Sequence, residues 1–379
     1  MKKILLTASV QHHFNAFHFP LIDILHENGY EVEIAARDVM GGDYHRQLQE
    51  KTEKIHEIPF ERSPFSLKNR EAYRQLKRVI DENNYDIINC NTPVASILTR
   101  FAARKARKKG TKVIYTAHGL HFYKGASKLN WLVFYPIEKF IGSLFTDCII
   151  TICDEDEANA KNLRLCKNIR RIHGVGADGD KFAPVEADMK IKLRKEYGYG
   201  ADEKICLCTG ELNANKNQRM FISAMPYIVK ACPDFRLMFA GIGDEENNLR
   251  ELAKQLGVEK NVTFLGYRTD MAKLIQFSDF IASASFREGL PVNIIEGMLC
   301  AKPAVVSHNR GHNELVADGV SGFFAEFGSD EKTADAFIKL CSDGELCEKM
   351  GRAAYERSEK YSCKSVEKEL REIYNEFMK

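Results

Sequence analysis

Two carboxylates stand eight positions apart in the stretch Arg287 to Met298, REGLPVNIIEGM: Glu288 and Glu296, parted by the turn Gly289-Leu290-Pro291. The apolar run FIASAS, Phe280 to Ser285, lies just upstream, so the segment reads as strand, tight turn and helix. A helix can open at Pro291 without losing a hydrogen bond, because first-turn amides have no intrahelical partner. The amides left free there, together with the helix dipole, attract anions. A carboxylate at that lip is a poor phosphate ligand but a good acceptor for sugar hydroxyls. Alone, the pair fits a buried turn with a solvated glutamate face better than a binding site, and what shifts the balance is other stretches.

One such stretch is LCTGELNANKNQ, Leu207 to Gln218. A strand ends in Gly210, a polar loop follows, and Lys216 stands where the next helix begins, so an ammonium and a helix N-terminus can meet the same diphosphate. AGIGD, Ala240 to Asp244, is a second flexible strand exit, and FLGYRTD puts Tyr267 and Arg268 at the mouth of a third. Both are positions for framing a nucleotide base, and both are compatible with an ordinary helix start. In the first half, AHGLHFY follows the strand VIYT, which makes His118 the best polar candidate there.

The loop after the opening strand, SVQHHFN, lacks a GxGxxG fingerprint, so a nicotinamide or flavin has little support. His13 and Asn15 are placed at this strand end for acceptor contacts. The spacing of His12, His13 and His18 does not converge like an HExxH pair, and they are read as mobile loop histidines rather than metal ligands. Asp154-Glu155-Asp156 has the D-x-D form, but it follows IITIC and precedes EANAKNL, which makes it the acidic first turn of a helix.

The elements that must hold these residues alternate strand and helix along the whole chain. Strands are expected at Lys3–Ala8, Glu31–Ala36, Asp86–Cys90, Val113–Thr116 and Cys148–Ile152, with a helix at Phe17–Asn28. A second set begins at Ile205–Thr209 and continues with Arg236–Ala240, Val262–Leu265, Phe280–Ala284 and Ala304–Ser307. A polar stretch from about Gly176 to Gly200 serves as hinge. This is an α/β chain of two doubly wound, Rossmann-like domains, each a parallel sheet covered on both faces, with ligands expected in the cleft beyond the strand ends. The domains are placed at 1–180 and 181–361, with a C-terminal helix at about 362–379 packing back on the first.

At 379 residues, 44% hydrophobic and 28% charged, the chain is ordinary globular material long enough for two cores. A net charge of +2 gives no reason to expect a nucleic-acid partner. Eleven cysteines, scattered without metal spacing, are expected as reduced thiols. The chain has no run of roughly 20 apolar residues and no cleavable leader, so a cytoplasmic location is expected. RFAARKARKK, Arg100 to Lys109, puts six basic residues on one expected helix, as a solvated face or a contact with anionic lipid. NWLVFYPIEKFIGSLF, Asn130 to Phe145, is a core helix or an interfacial one.

Taken together, GELNANKNQ (210–218), FLGYRTD, SFREGLPVNIIEGM, KPAVVSHNRGHNELV (302–316) and AHGLHFY resemble the retaining glycosyltransferases of family 4, and among them the bacterial capsule and exopolysaccharide branch. The likeness covers nearly the whole chain and implies the GT-B fold. It implies a UDP-sugar donor held by the second domain and a lipid-linked or saccharide acceptor held by the first; the basic and aromatic stretches add a peripheral contact with the inner face of the cytoplasmic membrane as an expectation. It also implies hexosyl or N-acetylhexosaminyl transfer with no metal cofactor, since Lys216 and backbone dipoles take the metal's place.

Carried over by residue, Lys216 neutralises the diphosphate, and Gly210, Ser285 and the N–H groups around the turn of Gly289, Leu290 and Pro291 complete its site. Glu288 accepts from the donor sugar and Glu296 from the ribose, while the segment from Gly266 through Tyr267 to Arg268 lines the base. His118 lies beside the transferred sugar. Two departures stand out: Glu211 occupies a position where many relatives have arginine, and His12-His13-Phe14-Asn15 replaces a Gly-Gly acceptor loop. A UDP-sugar 2-epimerase of the same build and a non-catalytic nucleotide-sugar-binding protein are the rival readings.

Overall fold

In the computed structural model, which describes residues 2–61 and 63–378, the chain forms two compact units. Met1, Arg62 and Lys379 lie outside the described residues. The first unit runs to Gly176 and takes up the chain again from Lys364; the second is Ala177–Cys363.

The first unit is built on β1 (Lys2–Val10), β2 (Tyr30–Arg37), β3 (Lys54–Glu57), β4 (Ile87–Asn91), β5 (Lys112–Ala117), β6 (Cys148–Thr151) and β7 (Ile169–Arg171). All pairings are parallel, in the order β3-β2-β1-β4-β5-β6-β7. Both faces of β1 and β4 are covered, which is why ILLTASV and IINCN carry no alternation of polar and apolar residues. Ile4 pairs with Val32 on one side and Ile87 on the other.

The second unit repeats the plan with β8 (Lys204–Thr209), β9 (Phe235–Ala240), β10 (Val262–Phe264), β11 (Phe280–Ser283), β12 (Ala304–Ser307) and β13 (Gly322–Ala325), in the order β10-β9-β8-β11-β12-β13, again parallel. Phe235, Phe280 and Phe337, with ring centroids 5.9–6.0 Å apart, anchor its core. A buried phenylalanine side chain contributes on the order of 2–3 kcal/mol. In each unit the strand order reverses beside the first strand, between β1 and β4 and between β8 and β11. Such a switch point leaves a crevice at the carboxyl ends for a ligand.

The expected fold class of two Rossmann-like parallel sheets is what the chain forms, with local corrections. SVQHHFN is not a loop: helix His12–Phe17 starts one residue after the β1 exit. The helix expected at Phe17–Asn28 begins anew at Phe19–Glu27, since Pro20 has no amide to continue the preceding turn and is accommodated at a helix start. The polar stretch 176–200 holds a helix of its own, Ala187–Glu196.

The basic run 100–109 is two helices, Pro93–Ala102 and Arg104–Lys108. Arg100 is fully buried and bidentate to Glu138 at 2.8 Å for both bonds, with its guanidinium 4.2 Å from the centroid of the Tyr115 ring. Asp154–Asn162 is a helix with an acidic first turn, as expected. Its Asp156 Oδ2 accepts from the Leu120 amide at 3.0 Å and so holds the 118–124 loop.

The helix Lys128–Phe145 buries Glu138, Ile141 and Gly142 and leaves Leu129, Leu132, Ile137, Phe140 and Leu144 exposed. Among the described residues no helix is long and apolar enough to cross a membrane.

The helix Cys363–Asn375 belongs, from Lys364, to the first unit. Arg170 donates twice to Glu376, His173 Nδ1 lies 2.5 Å from Glu369, and Arg371 reaches Glu27 at 2.6 Å. Ends of the second unit are paired: Ala177 bridges Ser362, donates to the Tyr361 carbonyl at 3.0 Å and accepts from the Cys363 amide at 2.8 Å.

Candidate active site

The loops leaving β8 and β11, at the switch point of the second unit, are locked to each other. The Phe286 amide donates to the Asn215 carbonyl at 2.9 Å, and Asn215 Nδ2 donates to the Arg287 carbonyl at 3.1 Å. Lys216 Nζ then meets Glu288 Oε1 at 2.6 Å, both side chains being half-buried. Glycine is required around this pair. Gly210 has φ +132° and lies under the Lys216 stem, and a Cβ on Gly241 would fall 2.0 Å from the Gly210 carbonyl oxygen.

Helix Val292–Leu299 starts one residue later than expected, with Pro291 as its N-cap. Its first-turn amides point out of the helix by construction, and Asn293 Nδ2 ties this end to the Thr209 carbonyl at 3.0 Å. The lip is therefore an ammonium, a carboxylate and a helix N-terminus held by β8 and β11, an arrangement suited to a polyanion carrying hydroxyls.

The other expected residues of this unit take different surroundings. Leu290 is buried. Gly289 approaches Gly311 so closely that a Cβ on Gly311 would lie 2.7 Å from the Gly289 oxygen. Ser285 is fully buried with its hydroxyl 3.3 Å from that of Ser283, while its carbonyl accepts from Ser307 and Asn309; it shapes the β11 exit from below. Glu296 sits on the helix with burial lifting its carboxyl to about 7. Tyr267 is exposed, and Arg268 is held in a fork by Asp270 at 2.8 and 2.5 Å. The Gly266 carbonyl accepts from the Gly241 amide at 2.8 Å, which sets this turn against the β9 exit.

Sequence reasoning missed two residues here. Arg310 donates to the Glu288 carbonyl at 3.1 Å, and buried His312 is fixed by the Ser307 carbonyl at 2.7 Å, with burial depressing it to about 4. Both belong to the quoted stretch KPAVVSHNRGHNELV, and the local cue was a polar cluster directly after the β12 strand.

In the first unit, His118 leaves β5 beside the β1–β4 switch point. Its Nε2 lies 3.1 Å from Asn91 Oδ1. Asn91 Nδ2 donates to Asn89 Oδ1 at 2.8 Å and to the Thr7 carbonyl at 3.3 Å, so Asn91 Oδ1 is an acceptor and the His118 proton sits on Nε2. Burial lowers His118 to about 4. His12, His13 and His18 are not loop residues: the first two lie on helix His12–Phe17 and His18 is buried at its end. Spacing along the chain argued against a convergent set, yet folding brings His13 and His18 within 5.0 Å of each other and His118 within 4.6 and 5.6 Å of them, centroid to centroid. Burial, then neighbouring histidine charge, holds His13 and His18 well below the ordinary imidazole range. Asn15 donates to the Tyr44 carbonyl at 3.0 Å, and His121 stacks on Phe134 at 4.4 Å.

Comparison with known proteins bears on both units. The profile of the glycosyl transferases group 1 matches residues 189–357, and that of the glycosyl transferase 4-like group matches residues 3–152. The Bacillus subtilis protein named "Putative glycosyltransferase EpsD" is 42% identical over 378 residues, covering 100% of this chain and 97% of that one. An Escherichia coli UDP-Gal:alpha-D-GlcNAc-diphosphoundecaprenol alpha-1,3-galactosyltransferase is 27% identical over 73% of this chain and 72% of its own. The crystal structure of Anabaena HepE in complex with UDP superposes with a TM-score of 0.78 at 22% identity, over 99% of this chain and 100% of that one.

Proposed function

The chain belongs to the family 4 glycosyltransferases of GT-B fold, and from that premise we propose that it moves a hexosyl or N-acetylhexosaminyl group from a UDP-sugar, with retention, to a lipid-linked saccharide of a capsule or exopolysaccharide pathway. The observation that carries the proposal is the Lys216–Glu288 pair at 2.6 Å on the carboxyl ends of β8 and β11. HepE was crystallised with UDP and with UDP-glucose, and the E. coli relative is named for a UDP-Gal donor, a diphosphoundecaprenol-linked acceptor and an alpha linkage. These favour the same donor and acceptor classes here.

In the proposed reaction the sugar C1–O bond to the diphosphate breaks with its electron pair going to the phosphate oxygen. Lys216 and the amides before Val292 stabilise that growing charge, which is the larger part of such catalysis. Their diphosphate contact draws Lys216 off Glu288, whose carboxylate is then free to accept from donor-sugar hydroxyls. Glu296 takes the ribose and the turn Gly266–Arg268 the base. The acceptor hydroxyl attacks C1 on the face the diphosphate leaves, and its proton passes to the departing phosphate oxygen. His118, neutral and oriented by Asn91, is the first unit's candidate for the transferred sugar, and His13 and Asn15 are its candidates for the acceptor. Lys216 and helix dipoles supply the charge that a metal supplies elsewhere.

The exposed apolar residues of helix Lys128–Phe145 fall on one side of it, and the basic helix Arg104–Lys108 is joined to its end where Arg107 donates to the Leu144 carbonyl at 3.0 Å. Apolar and basic surfaces side by side suit an anionic bilayer, so the proposed place of work is the inner face of the cytoplasmic membrane.

The test is UDP release from a panel of UDP-sugars with and without undecaprenyl-diphosphate-linked saccharides, with the anomeric configuration of the product read by NMR. Release that needs the acceptor and gives the α-anomer supports the proposal. Donor interconversion without acceptor, or an inverted product, overturns it.

A further inference from the structure

We propose that His13, His18 and His118 form a binding site for one divalent transition-metal ion of the zinc class. One ring nitrogen of each lies within 4.8 Å of one from each of the others. The rings are turned across one another rather than stacked: His118 makes an 86° angle with both partners, and His13 and His18 meet at 51°. Three imidazole nitrogens about 2.1 Å from a tetrahedral ion stand about 3.4 Å apart, so closing the site takes shifts on the order of 1 Å, within reach of side-chain rotation.

Two further observations point to a ligand. The Nε2 atoms of His13 and His18 are buried without a hydrogen-bond partner, a state that native proteins rarely tolerate unless water or an ion satisfies it. The third ligand is already oriented. Asn91 takes the Nε2 proton of His118 at 3.1 Å, and the chain of amides through Asn89 fixes that tautomer, which leaves Nδ1 with its lone pair for the ion. A hydrogen bond from the far ring nitrogen to a fixed acceptor is the usual second partner of a ligating histidine.

Three neutral nitrogen ligands suit Zn2+, Co2+ or Ni2+ better than Mg2+ or Ca2+. His13 also lines a pocket of ≈ 340 Å³ with Ser9, His12 and Thr92, which gives a fourth position room for a water or another exchangeable ligand. The ion would join the helix after β1 to the loop after β5. If His118 serves the sugar as proposed above, its one free nitrogen cannot meet ion and sugar at once, and bound metal slows transfer.

Untagged full-length protein, stripped with chelator and dialysed against Zn2+ or Co2+, is the test, with metal counted by elemental mass spectrometry and Co2+ followed by its visible ligand-field bands. One ion per chain with a nitrogen-type tetrahedral spectrum is expected. Affinity should fall at least tenfold in His13→Gln and in His18→Asn, and about 10–100-fold in Asn91→Ala, with circular dichroism showing each variant folded. The proposal is overturned by wild-type protein that retains no stoichiometric ion, by a thiolate charge-transfer band from its cysteines, or by binding that survives both histidine variants. Because the readout is metal content, the site stands or falls separately from the transfer reaction.

Discussion

The ammonium of Lys216 and the carboxylate of Glu288 lie 2.6 Å apart although 72 positions separate them in the chain. Each is thereby held in place before any donor arrives. The pair keeps both groups at the strand ends until a diphosphate takes the place of the carboxylate on Lys216. The first prediction concerns Lys216→Ala, which should lower kcat/KM by roughly 10²–10³-fold, the loss typical for one fixed donor at a developing oxyanion. A pair that still reaches solvent, as this one does, contributes modestly to folding, so stability should change by no more than about 1 kcal/mol. Acceptor-dependent UDP release and thermal unfolding of the same preparation measure the two effects; normal turnover in the variant refutes the assignment.

Glu296 makes a pH prediction. Burial lifts its carboxyl from 4.5 to about 7. Between those values the folded protein keeps a proton that the unfolded chain has released, so this group's stabilising contribution is full below about 4.5 and is lost as pH rises to about 7. Glu296→Gln should flatten that slope in urea titrations at pH 5 and pH 8 and leave the variant relatively more stable at pH 8. Donor KM should improve in the wild type as pH passes 7, because the ionised carboxylate is the better acceptor for ribose, and should do so less in the variant.

His118, lowered to about 4, should contribute no inflection to kcat/KM between pH 5 and 8. His118→Ala should cut kcat by about 10²-fold without moving the far-UV spectrum. An alkaline-side activation near pH 6.5 that vanishes in the variant would show the imidazole titrating as a solvated one, against this environment.

Arg100 and Glu138 test the frame. Arg100→Ala leaves a buried carboxylate unpaired and should cost about 3–5 kcal/mol, whereas Arg100→Met combined with Glu138→Leu should recover most of it. Chemical denaturation gives both values. A single variant as stable as the wild type would mean that the pair is solvated.

For the proposed bilayer contact, Leu132→Glu with Phe140→Glu should weaken flotation with anionic vesicles and leave UDP-sugar affinity unchanged. Equal flotation of variant and wild type removes that helix from the interface.

Most strands were legible because sheets covered on both faces demand unbroken apolar runs such as ILLTASV and FIAS. The strands that escaped notice are short: KIHE is an edge strand with two charges, IRR is another, and GFFA is an edge strand of four residues that opens on a glycine. A Cβ on Gly322 would lie 2.1 Å from the Ala304 oxygen, so that glycine is a close strand approach. Lys216 and Glu288 were each recognisable from a strand exit followed by a helix start, but their contact depends on β8 pairing with β11, which no local pattern encodes. His13 and His18 were misjudged for the same reason, since their third companion enters from β5. Arg100 looked like one more charge in a basic run; nothing in ten residues of sequence shows that it turns inward to Glu138.

The paired crossing at Ala177 and Ser362 has a consequence for how this gene product can be dissected. Because the start and finish of residues 177–363 lie shoulder to shoulder, that half is a cassette inserted into the chain of the other, as a parenthesis sits in a sentence. Two cuts at neighbouring points, after Gly176 and before Lys364, release it as a single piece of chain.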